Sequence, residues 1–294
     1  MTRAIRLFAL IVLLASPARA QAPSPLLVDV GWLAQHVNDR GLVLLHIGSR
    51  AEYNAGHIPG ARYITEEDVA RPHDMARGDL MLELPPLDEL RAKVASFGIS
   101  DDSRIVVYFG KTGAVQSSTR IIFTLDYLGL GDRTSLLNGG LPEWTRAGHA
   151  TTGSVPAAAR GTLSARPAKP VVVDAEFVKS IPSRPNTRLV DARAAVFYSG
   201  IEPTMNGAKG HIPGAVNIPF SKITDDNMLI DRERVAALFA AAGIKPGDTV
   251  VAYCHVGQQG TAVVFGARLL GYTVMLYDGS FQDWAMNKRG PVEK

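Results

Sequence analysis

Residues 250–272, "VVAYCHVGQQGTAVVFGARLLGY", change character twice over a short distance. A β-branched apolar run leads to Cys254, a polar loop follows, and an apolar helical pattern begins near Gly260. A nearly continuous apolar strand followed by a helix is typical of a parallel sheet with both faces covered. Ligands of such sheets bind beyond the carboxyl ends of the strands, so the stretch predicts a site at Cys254.

The loop after Cys254 predicts a cradle for negative charge. Gly257 and Gly260 allow successive backbone N–H groups to point inward, and the start of the helix adds unpaired N–H groups and a positive dipole end. We expect a thiol in this position to ionise more easily, because the thiolate gains hydrogen-bond donors. The same cradle could hold an anionic sulfur intermediate or an oxyanion. This chemistry requires no cofactor, and the dispersed histidines give no metal-ligand spacing.

Composition is typical of a folded protein without a nucleic-acid surface. The chain has 294 residues, of which 46% are hydrophobic and 20% charged, enough for one large domain or two ordinary ones. The net charge is +3, and the charged residues are scattered along the chain and form no basic cluster that would bind nucleic acid. Cys254 is the single cysteine, and composition alone leaves two interpretations open: a buried small hydrophobe or a reactive thiol.

The first 20 residues predict a cleavable signal peptide. Arg3 and Arg6 precede an apolar run at residues 7–15, and small residues stand at Ala18 and Ala20. An N-terminal membrane anchor is the alternative, but the run is short for the roughly 20 residues that span a bilayer. We therefore expect cleavage after Ala20, a periplasmic or secreted mature protein, and no membrane span after cleavage.

The chain contains an internal duplication with a period of about 140 residues. "AGHIPGARYI" returns as "KGHIPGAVNI", "LLHIGSRAEY" as "LVDARAAVFY", "FGISDDSRIVVYF" as "AGIKPGDTVVAYC", and "LLNGGLPEW" as "LYDGSFQDW". We therefore predict two α/β domains at residues 25–150 and 171–290, each a largely parallel sheet flanked by helices. Residues 151–170, rich in Ala, Gly, Ser, Thr and Pro, predict an extended linker over the surface.

These motifs together resemble the tandem-domain rhodanese family, the thiosulfate and 3-mercaptopyruvate sulfurtransferases. The resemblance is carried by "LVDARAAVFYSG", "GHIPGAVNIPF", "YCHVGQQGT" and "YDGSFQDW", with "GHIPGA" and "NGGLPEW" in the first half. It implies two rhodanese-like domains and a sulfurtransferase that forms a persulfide on Cys254. The implied partners are a small anionic sulfur donor and a thiophilic acceptor, which is cyanide, a small thiol or a thiol protein.

The resemblance also implies which residues form the site and which domain carries it. Cys254 is the implied nucleophile, Asp191 a supporting residue, and the first domain is inactive because Phe109 aligns with Cys254. The candidate substrate-binding residues are Arg193, His255, Val256, Gly257, Gln258, Gln259, Gly260 and Thr261.

Several positions depart from the family pattern and leave the donor open. His255 and Val256 match neither the basic pair associated with thiosulfate nor the Gly-Ser pair associated with mercaptopyruvate. Phe197 stands where a second arginine is usual, so Arg193 either touches substrate or supports the fold. We expect His255 to line the mouth and lend polarity or charge to anions; a Cys–His dyad is the alternative.

Other residue roles follow from the loop and from the repeated turn motif. Gln258 and Gln259 are either loop donors or solvated. His57 and His211, in the two GHIPGA motifs, are expected to make structural hydrogen bonds at a turn. The loop after Cys254 holds no arginine to clamp a phosphate, which argues against a phosphatase of the same fold.

Two alternatives to an enzyme remain at the level of sequence. The first is a non-enzymatic periplasmic sulfur carrier or thiol-redox partner, which the missing basic pair favours. The second is a binding module whose loop does not react.

Overall fold

The computed structural model describes residues 24–157, 159–204 and 206–294, and within them the chain forms two parallel α/β domains. The first domain contains β1 (Leu27–Val28), α1 (Val30–His36), β2 (Leu42–Ile47), α2 (Arg50–Ala55), β3 (Arg62–Ile64), α3 (Leu87–Ser96), β4 (Arg104–Phe109), α4 (Val115–Tyr127), β5 (Thr134–Leu137) and α5 (Gly140–Arg146). The second contains β6 (Val172–Val173), α6 (Ala175–Ser180), β7 (Thr187–Asp191), α7 (Ala195–Tyr198), β8 (Val216–Asn217), α8 (Arg232–Ala241), β9 (Thr249–Tyr253), α9 (Gly260–Leu270), β10 (Thr273–Tyr277) and α10 (Ser280–Met286).

The two sheets have the same strand order. It is β1-β5-β4-β2-β3 in the first domain and β6-β10-β9-β7-β8 in the second, and every recorded strand pair is parallel. The central strands β4 and β9 are buried along nearly their whole length, as their apolar sequences require when helices cover both faces. The predicted α/β fold of two tandem domains is therefore confirmed.

Equivalent hydrogen bonds fix the alignment of the two halves. The Tyr108 hydroxyl accepts the Ile58 N–H at 3.0 Å, and the Tyr253 hydroxyl accepts the Ile212 N–H at the same distance. Each tyrosine thus connects the central strand to the GHIPGA turn of its own domain. The residue after Tyr108 is Phe109 and the residue after Tyr253 is Cys254, so the two positions are structurally equivalent.

Three helix boundaries have the capping residues that helix ends favour. The Asp174 carboxylate accepts the Phe177 N–H at 2.8 Å and begins α6. Gly271 ends α9 with φ at 90°, and Gly243 follows α8 with φ at 75°. A left-handed residue after a helix suits glycine, which carries no Cβ.

The histidines of the GHIPGA turns make structural contacts, as predicted. His57 Nδ1 lies 2.7 Å from the Tyr53 carbonyl oxygen, and its ring stacks on Tyr53 at 3.9 Å. His211 Nδ1 lies 2.9 Å from the Tyr198 carbonyl oxygen, with a ring stack at 3.8 Å. Both rings are buried, so they hold the turn against the preceding helix.

The segment between the sheets runs along the first domain. The Gly161 N–H donates to the Ala95 carbonyl at 2.8 Å, and the Lys169 N–H donates to the Tyr127 carbonyl at 2.9 Å. No helix of the described residues is long and apolar enough to cross a bilayer. The predicted signal peptide at residues 1–20 lies outside the described residues.

The two domains pack through α4 and α9, the helices that follow the equivalent loops. The hydroxyls of Thr119 and Thr261 are 2.9 Å apart across this contact. Apolar residues of both domains belong to one continuous core. We conclude that each domain buries part of the other's apolar surface, which stabilises their relative position.

The loop of the first domain that corresponds to the Cys254 loop holds a carboxylate. Glu52 accepts hydrogen bonds from the backbone N–H groups of Lys111 and Thr112 and, at 2.5 Å, from the Thr112 hydroxyl. Burial alone would raise the pKa of Glu52, but these hydrogen bonds outweigh it and hold the pKa below its usual value. The cradle of the first domain is therefore filled by the chain's own anion.

A buried histidine lies beside this carboxylate in place of Asp191. His46 pairs with Tyr108 in the sheet, as Asp191 pairs with Tyr253. Neither ring nitrogen of His46 has a hydrogen-bond partner, and burial lowers its pKa to about 4, which the charge of Glu52 offsets only in part. The first domain thus holds a neutral imidazole where the second holds an ion pair.

Candidate active site

Cys254 lies directly after β9, where three backbone N–H groups converge on its sulfur. The donors are the N–H groups of Val256, Gly257 and Gly260, the last being the first residue of α9. The Cys254 N–H donates to the Ser280 hydroxyl at 3.1 Å, and this hydroxyl donates to the Tyr277 carbonyl at 2.9 Å. The predicted cradle is therefore present at the predicted strand-to-helix junction.

The predicted ease of ionisation is wrong for the resting thiol. Cys254 is fully buried, and this burial raises its pKa above the usual range. The three N–H donors lower the pKa, whereas the negative charge of Asp191 raises it further. Desolvation thus has a larger effect on the pKa than the cradle. The hydration free energy that the thiolate loses on burial exceeds the stabilisation that the three N–H donors provide.

Gly257 is required by the space around the loop. Its φ is 81°, a left-handed conformation that favours glycine. A Cβ atom there would lie 2.6 Å from the Asp278 carbonyl oxygen and 2.9 Å from Asp278 Oδ1. The close approach of the loop to Asp278 therefore depends on the missing side chain.

Asp191 and Arg193 form a buried ion pair beneath the loop. Arg193 Nε lies 3.0 and 3.1 Å from the two carboxylate oxygens of Asp191, and Nη2 lies 2.5 Å from Oδ2. Nη2 also donates to the Gly210 carbonyl at 2.8 Å, whereas Nη1 has no partner. Burial lowers the pKa of Arg193, but Asp191 outweighs it and the net shift is upward. Arg193 thus supports the first residue of the GHIPGA motif, and substrate contact stays a prediction.

His255 lies at the mouth of the site as a neutral ring. Its imidazole meets the Phe197 ring edge-on, with centroids 4.7 Å apart. Burial, with the nearby positive charge of Arg193, lowers its pKa to about 4. The expectation that His255 lends charge to anions is therefore wrong near neutral pH, because the ring is deprotonated there.

The remaining loop side chains reach toward the first domain. Gln258 Nε2 donates to the two carboxylate oxygens of Glu66 at 2.9 and 2.8 Å, and the Thr261 hydroxyl contacts Thr119. Burial raises the pKa of Glu66, which the Gln258 amide offsets only in part. The Gln258 amide is therefore bound to the first domain and not merely solvated, and its contact with substrate stays a prediction. Gln259 lies at the start of α9 with its Oε1 buried and unpartnered.

Arg120 of α4 joins the first domain to the backbone of the loop. Its side chain is buried, and Nη1 lies 2.5 Å from Asp278 Oδ1 and 3.2 Å from the Gly257 carbonyl oxygen. Nη2 donates to the Leu82 carbonyl. Asp278 Oδ2 also accepts the Leu84 N–H at 3.1 Å. One guanidinium therefore holds together the loop, the turn between β10 and α10, and the first domain.

Sequence reasoning missed four residues that shape this site. They are Glu66, Arg120, Asp278 and Ser280. Asp278 and Ser280 lie in the repeated block "YDGSFQDW", where Asn138 and Gly140 are their equivalents in the first half. These two differences between the repeats could have identified Asp278 and Ser280 as site residues. Nothing in the sequence around Glu66 and Arg120 indicates a role in the site.

A pocket of about 160 Å³ lies beside the loop and includes residues of both domains. Its lining consists of Met75, Thr204, Asn206, His255, Val256, Phe281, Gln282 and Met286.

The part of the chain that the structure covers contains no group of three or more His, Cys, Asp or Glu side chains placed to bind a metal ion.

The raised pKa of Cys254 predicts slow alkylation at neutral pH. Because the folded protein favours the neutral thiol, the rate with iodoacetamide should rise with pH and inflect above the value of free cysteine, about 8.5. The measurement is the alkylation rate from pH 6 to 10, with free cysteine as reference and Cys254→Ser as blank. An inflection below that of free cysteine would show that the cradle outweighs burial.

Loss of the Arg120 guanidinium should destabilise the whole chain. Arg120→Met leaves the Asp278 carboxylate buried without its partner, which costs about 3 to 5 kcal/mol in the free energy of unfolding. Urea unfolding measures this value. The matched control is Arg146→Met, which removes the exposed pair with Glu143 and should leave the curve unchanged. Equal curves for the two variants would contradict the role given to Arg120.

Comparison with known proteins agrees with this architecture. The sequence profile of the Rhodanese-like domain matches residues 29–147 and 174–287. A probable 3-mercaptopyruvate sulfurtransferase of Pseudomonas aeruginosa is 31% identical over 245 residues, covering 82% of this chain and 85% of the relative. A thiosulfate sulfurtransferase of the same organism is 29% identical over 271 residues, covering 92% and 97%.

Solved structures show the same fold. SseA from Escherichia coli, a 3-mercaptopyruvate sulfotransferase, superposes with a TM-score of 0.74 at 24% identity, covering 87% of this chain and 99% of that one. A complex of EanB with ergothioneine has a TM-score of 0.80 at 21% identity, covering 92% of this chain and 70% of that one. The two profile matches and the coverage of these relatives confirm the predicted resemblance. The chain therefore belongs to the tandem-domain rhodanese family of sulfurtransferase enzymes.

Proposed function

We propose that this enzyme moves a sulfane sulfur from thiosulfate or 3-mercaptopyruvate to a thiophilic acceptor through a persulfide on Cys254. The observation that carries the proposal is the convergence of three backbone N–H groups on the sulfur of Cys254. The names of the relatives support it, since both donors occur among them. Those relatives are named as enzymes, so they do not favour a non-enzymatic carrier.

The first half-reaction forms the persulfide. Cys254 loses its proton to solvent, and the thiolate attacks the outer sulfur of the donor. With thiosulfate, the new S–S bond forms while the donor's S–S bond breaks and its electron pair leaves with sulfite. With 3-mercaptopyruvate, the thiolate attacks the single thiol sulfur, and the donor's C–S bond breaks as the new S–S bond forms. The electron pair of that bond stays on the carbon as the enolate of pyruvate, which takes up the proton of the donor thiol and leaves as pyruvate. The N–H groups of Val256, Gly257 and Gly260 stabilise the negative charge throughout.

The second half-reaction restores the thiolate. The acceptor, cyanide or a thiol, attacks the outer sulfur of the persulfide, and the electron pair of the S–S bond returns to Cys254. Thiocyanate or an acceptor persulfide leaves. The enzyme thus alternates between two covalent forms, which predicts ping-pong kinetics.

Burial of the thiol is compatible with this chemistry. A buried thiol is protected from random oxidation, and the free-energy cost of ionisation is offset in part by the N–H donors already in place. No reorganisation of the loop is then needed when charge develops. The first domain supplies no nucleophile, because Phe109 occupies the equivalent position and packs in the core.

The proposed activity is tested with two donor–acceptor pairs. The mature protein is incubated with thiosulfate and cyanide, or with 3-mercaptopyruvate and a thiol, and product formation is followed. Cys254→Ser should lose activity by a factor of about 10³ or more, because serine is a far weaker nucleophile at neutral pH. Mass spectrometry after donor alone should show a gain of about 32 Da on the wild-type protein.

The variant Phe109→Leu is the control for this experiment. It changes the equivalent position in the inactive domain and should keep the mass gain. Absence of turnover with both pairs, together with an unchanged mass, would refute the persulfide mechanism.

We also propose that the enzyme works outside the cytoplasm. The support is the sequence of residues 1–20, which has the basic, apolar and small-residue regions of a signal peptide. When the full-length protein is produced in a bacterium, the mature chain should begin at Gln21 and occur in the periplasmic fraction. An uncleaved chain in the cytoplasm would contradict export.

A further inference from the structure

A second pocket, of about 170 Å³, lies on the first domain and shares no lining residue with the pocket beside Cys254. Eight of the described residues line it: Arg50, Tyr53, Arg62, Tyr63, Ser96, Phe97, Val155 and Pro156. None of these eight is aspartate or glutamate. The positive charge of the two arginines is therefore not balanced by a carboxylate in the pocket wall.

An aromatic ring holds the first of these arginines in place. Arg50 is the first residue of α2, and its guanidinium carbon lies 3.7 Å from the centre of the Tyr63 ring. The Tyr63 hydroxyl donates to the Gly48 carbonyl at 3.0 Å, which fixes the ring. A guanidinium stacked on a ring keeps the N–H groups at its edge available to an acceptor.

The second arginine, Arg62 of β3, is half-buried without a carboxylate partner. Its Nη1 donates to the Phe97 carbonyl, whereas its Nε is buried and has no hydrogen-bond partner. Burial lowers the pKa of Arg62, and the opposing effect comes from Tyr53 and not from a carboxylate. Within the ranges that the structure describes, neither Arg50 nor Arg62 forms an ion pair.

The hydroxyl groups of the pocket wall have already given their protons to the protein. Those of Tyr53, Tyr63 and Ser96 each donate to a backbone carbonyl oxygen, at 2.8, 3.0 and 2.6 Å. A hydroxyl has one proton to donate, so the guanidinium groups of Arg50 and Arg62 are the side-chain donors that this wall offers to a ligand. Both donors are positively charged, which favours an anion as the ligand.

The second domain shows that the fold does not require these residues. Its equivalents of Arg50, Arg62, Tyr63 and Phe97 are Ala195, Val216, Asn217 and Ala242. Tyr53, by contrast, is kept as Tyr198, and each of these two hydroxyls donates to a backbone carbonyl at 2.8 Å. The shared tyrosine thus supports the fold of both domains, whereas the cationic and aromatic residues distinguish the first.

We propose that this pocket binds a small inorganic oxyanion with two negative charges, of the sulfate or phosphate type. The planar N–H groups of arginine match two oxygen atoms of such an anion, and two arginines balance its two charges. The volume of about 170 Å³ suits a small ion, since sites for larger organic ligands occupy roughly 300–1,000 Å³. The inference concerns a site separate from Cys254 and does not rest on the proposed sulfur transfer.

Isothermal titration calorimetry of the mature protein with sulfate and with phosphate tests this site. The ionic strength is held constant with sodium chloride, because salt screens exposed charges. Arg50→Met should weaken the binding of the preferred anion by about tenfold or more, since charge-assisted hydrogen bonds are lost. Any anion that binds at the Cys254 loop contributes equally to both proteins, so the difference between them reports on this pocket.

The matched control is Arg184→Met, in the second domain. The Arg184 guanidinium carbon lies 4.3 Å from the centre of the Phe177 ring, and Arg184 does not line this pocket. The control therefore removes an exposed, ring-stacked arginine with the same change in net charge, and it should bind the anion as the wild type does. Arg50→Lys keeps the charge but loses the planar donor group, so its affinity should lie between those of the wild type and Arg50→Met.

A second variant tests the other side of the pocket. Arg62→Met should also weaken binding by about tenfold or more, and circular dichroism checks that this variant is folded. Tighter binding of sulfate or of phosphate would identify which of the two oxyanions the pocket prefers. Equal affinities of the wild type and Arg50→Met, or the absence of binding of both anions, would overturn the proposal. An equal loss in Arg184→Met would do so as well, because net charge would then explain the effect.

Discussion

The packing of α4 on α9 is the contact on which the active site depends. α9 supplies the Gly260 N–H of the cradle, and α4 supplies Arg120, which binds the Gly257 carbonyl and Asp278. The loop between Cys254 and α9 is thus held from the second domain by its covalent connections and from the first by a guanidinium. The position of three N–H groups around one sulfur follows from this double support.

Two opposing effects act on that sulfur. The cradle favours the anion, whereas burial and the Asp191 carboxylate favour the neutral thiol, and burial is the largest of the three. A buried thiol that stays neutral reacts slowly with general oxidants and alkylating agents, because the thiolate is the reactive form. The same burial would exclude water from the persulfide proposed above, and the N–H groups would then stabilise its negative charge more strongly.

The sequence predicted what local patterns determine. The duplication, the parallel sheets and the junction at Cys254 follow from periodicity and residue type, and the structure confirms them. The direction of the pKa shift of Cys254 was not predictable from the sequence, because it depends on how deeply tertiary packing buries the sulfur. Arg120 and Glu66 were missed because their partners in the second domain lie more than 130 positions away in the chain.

The contacts between the domains are reciprocal, since Asn138 binds the backbone of Ile230 while its equivalent Asp278 binds that of Leu84. Of this equivalent pair, Asp278 is charged and Asn138 is not. Asp278 therefore requires a cation from the first domain, which Arg120 supplies. A minimal catalyst therefore cannot be made by excising residues 171–290. The fragment would keep every atom of the loop after Cys254, yet it would expose the apolar side of α9 and leave Asp278 without its counterion.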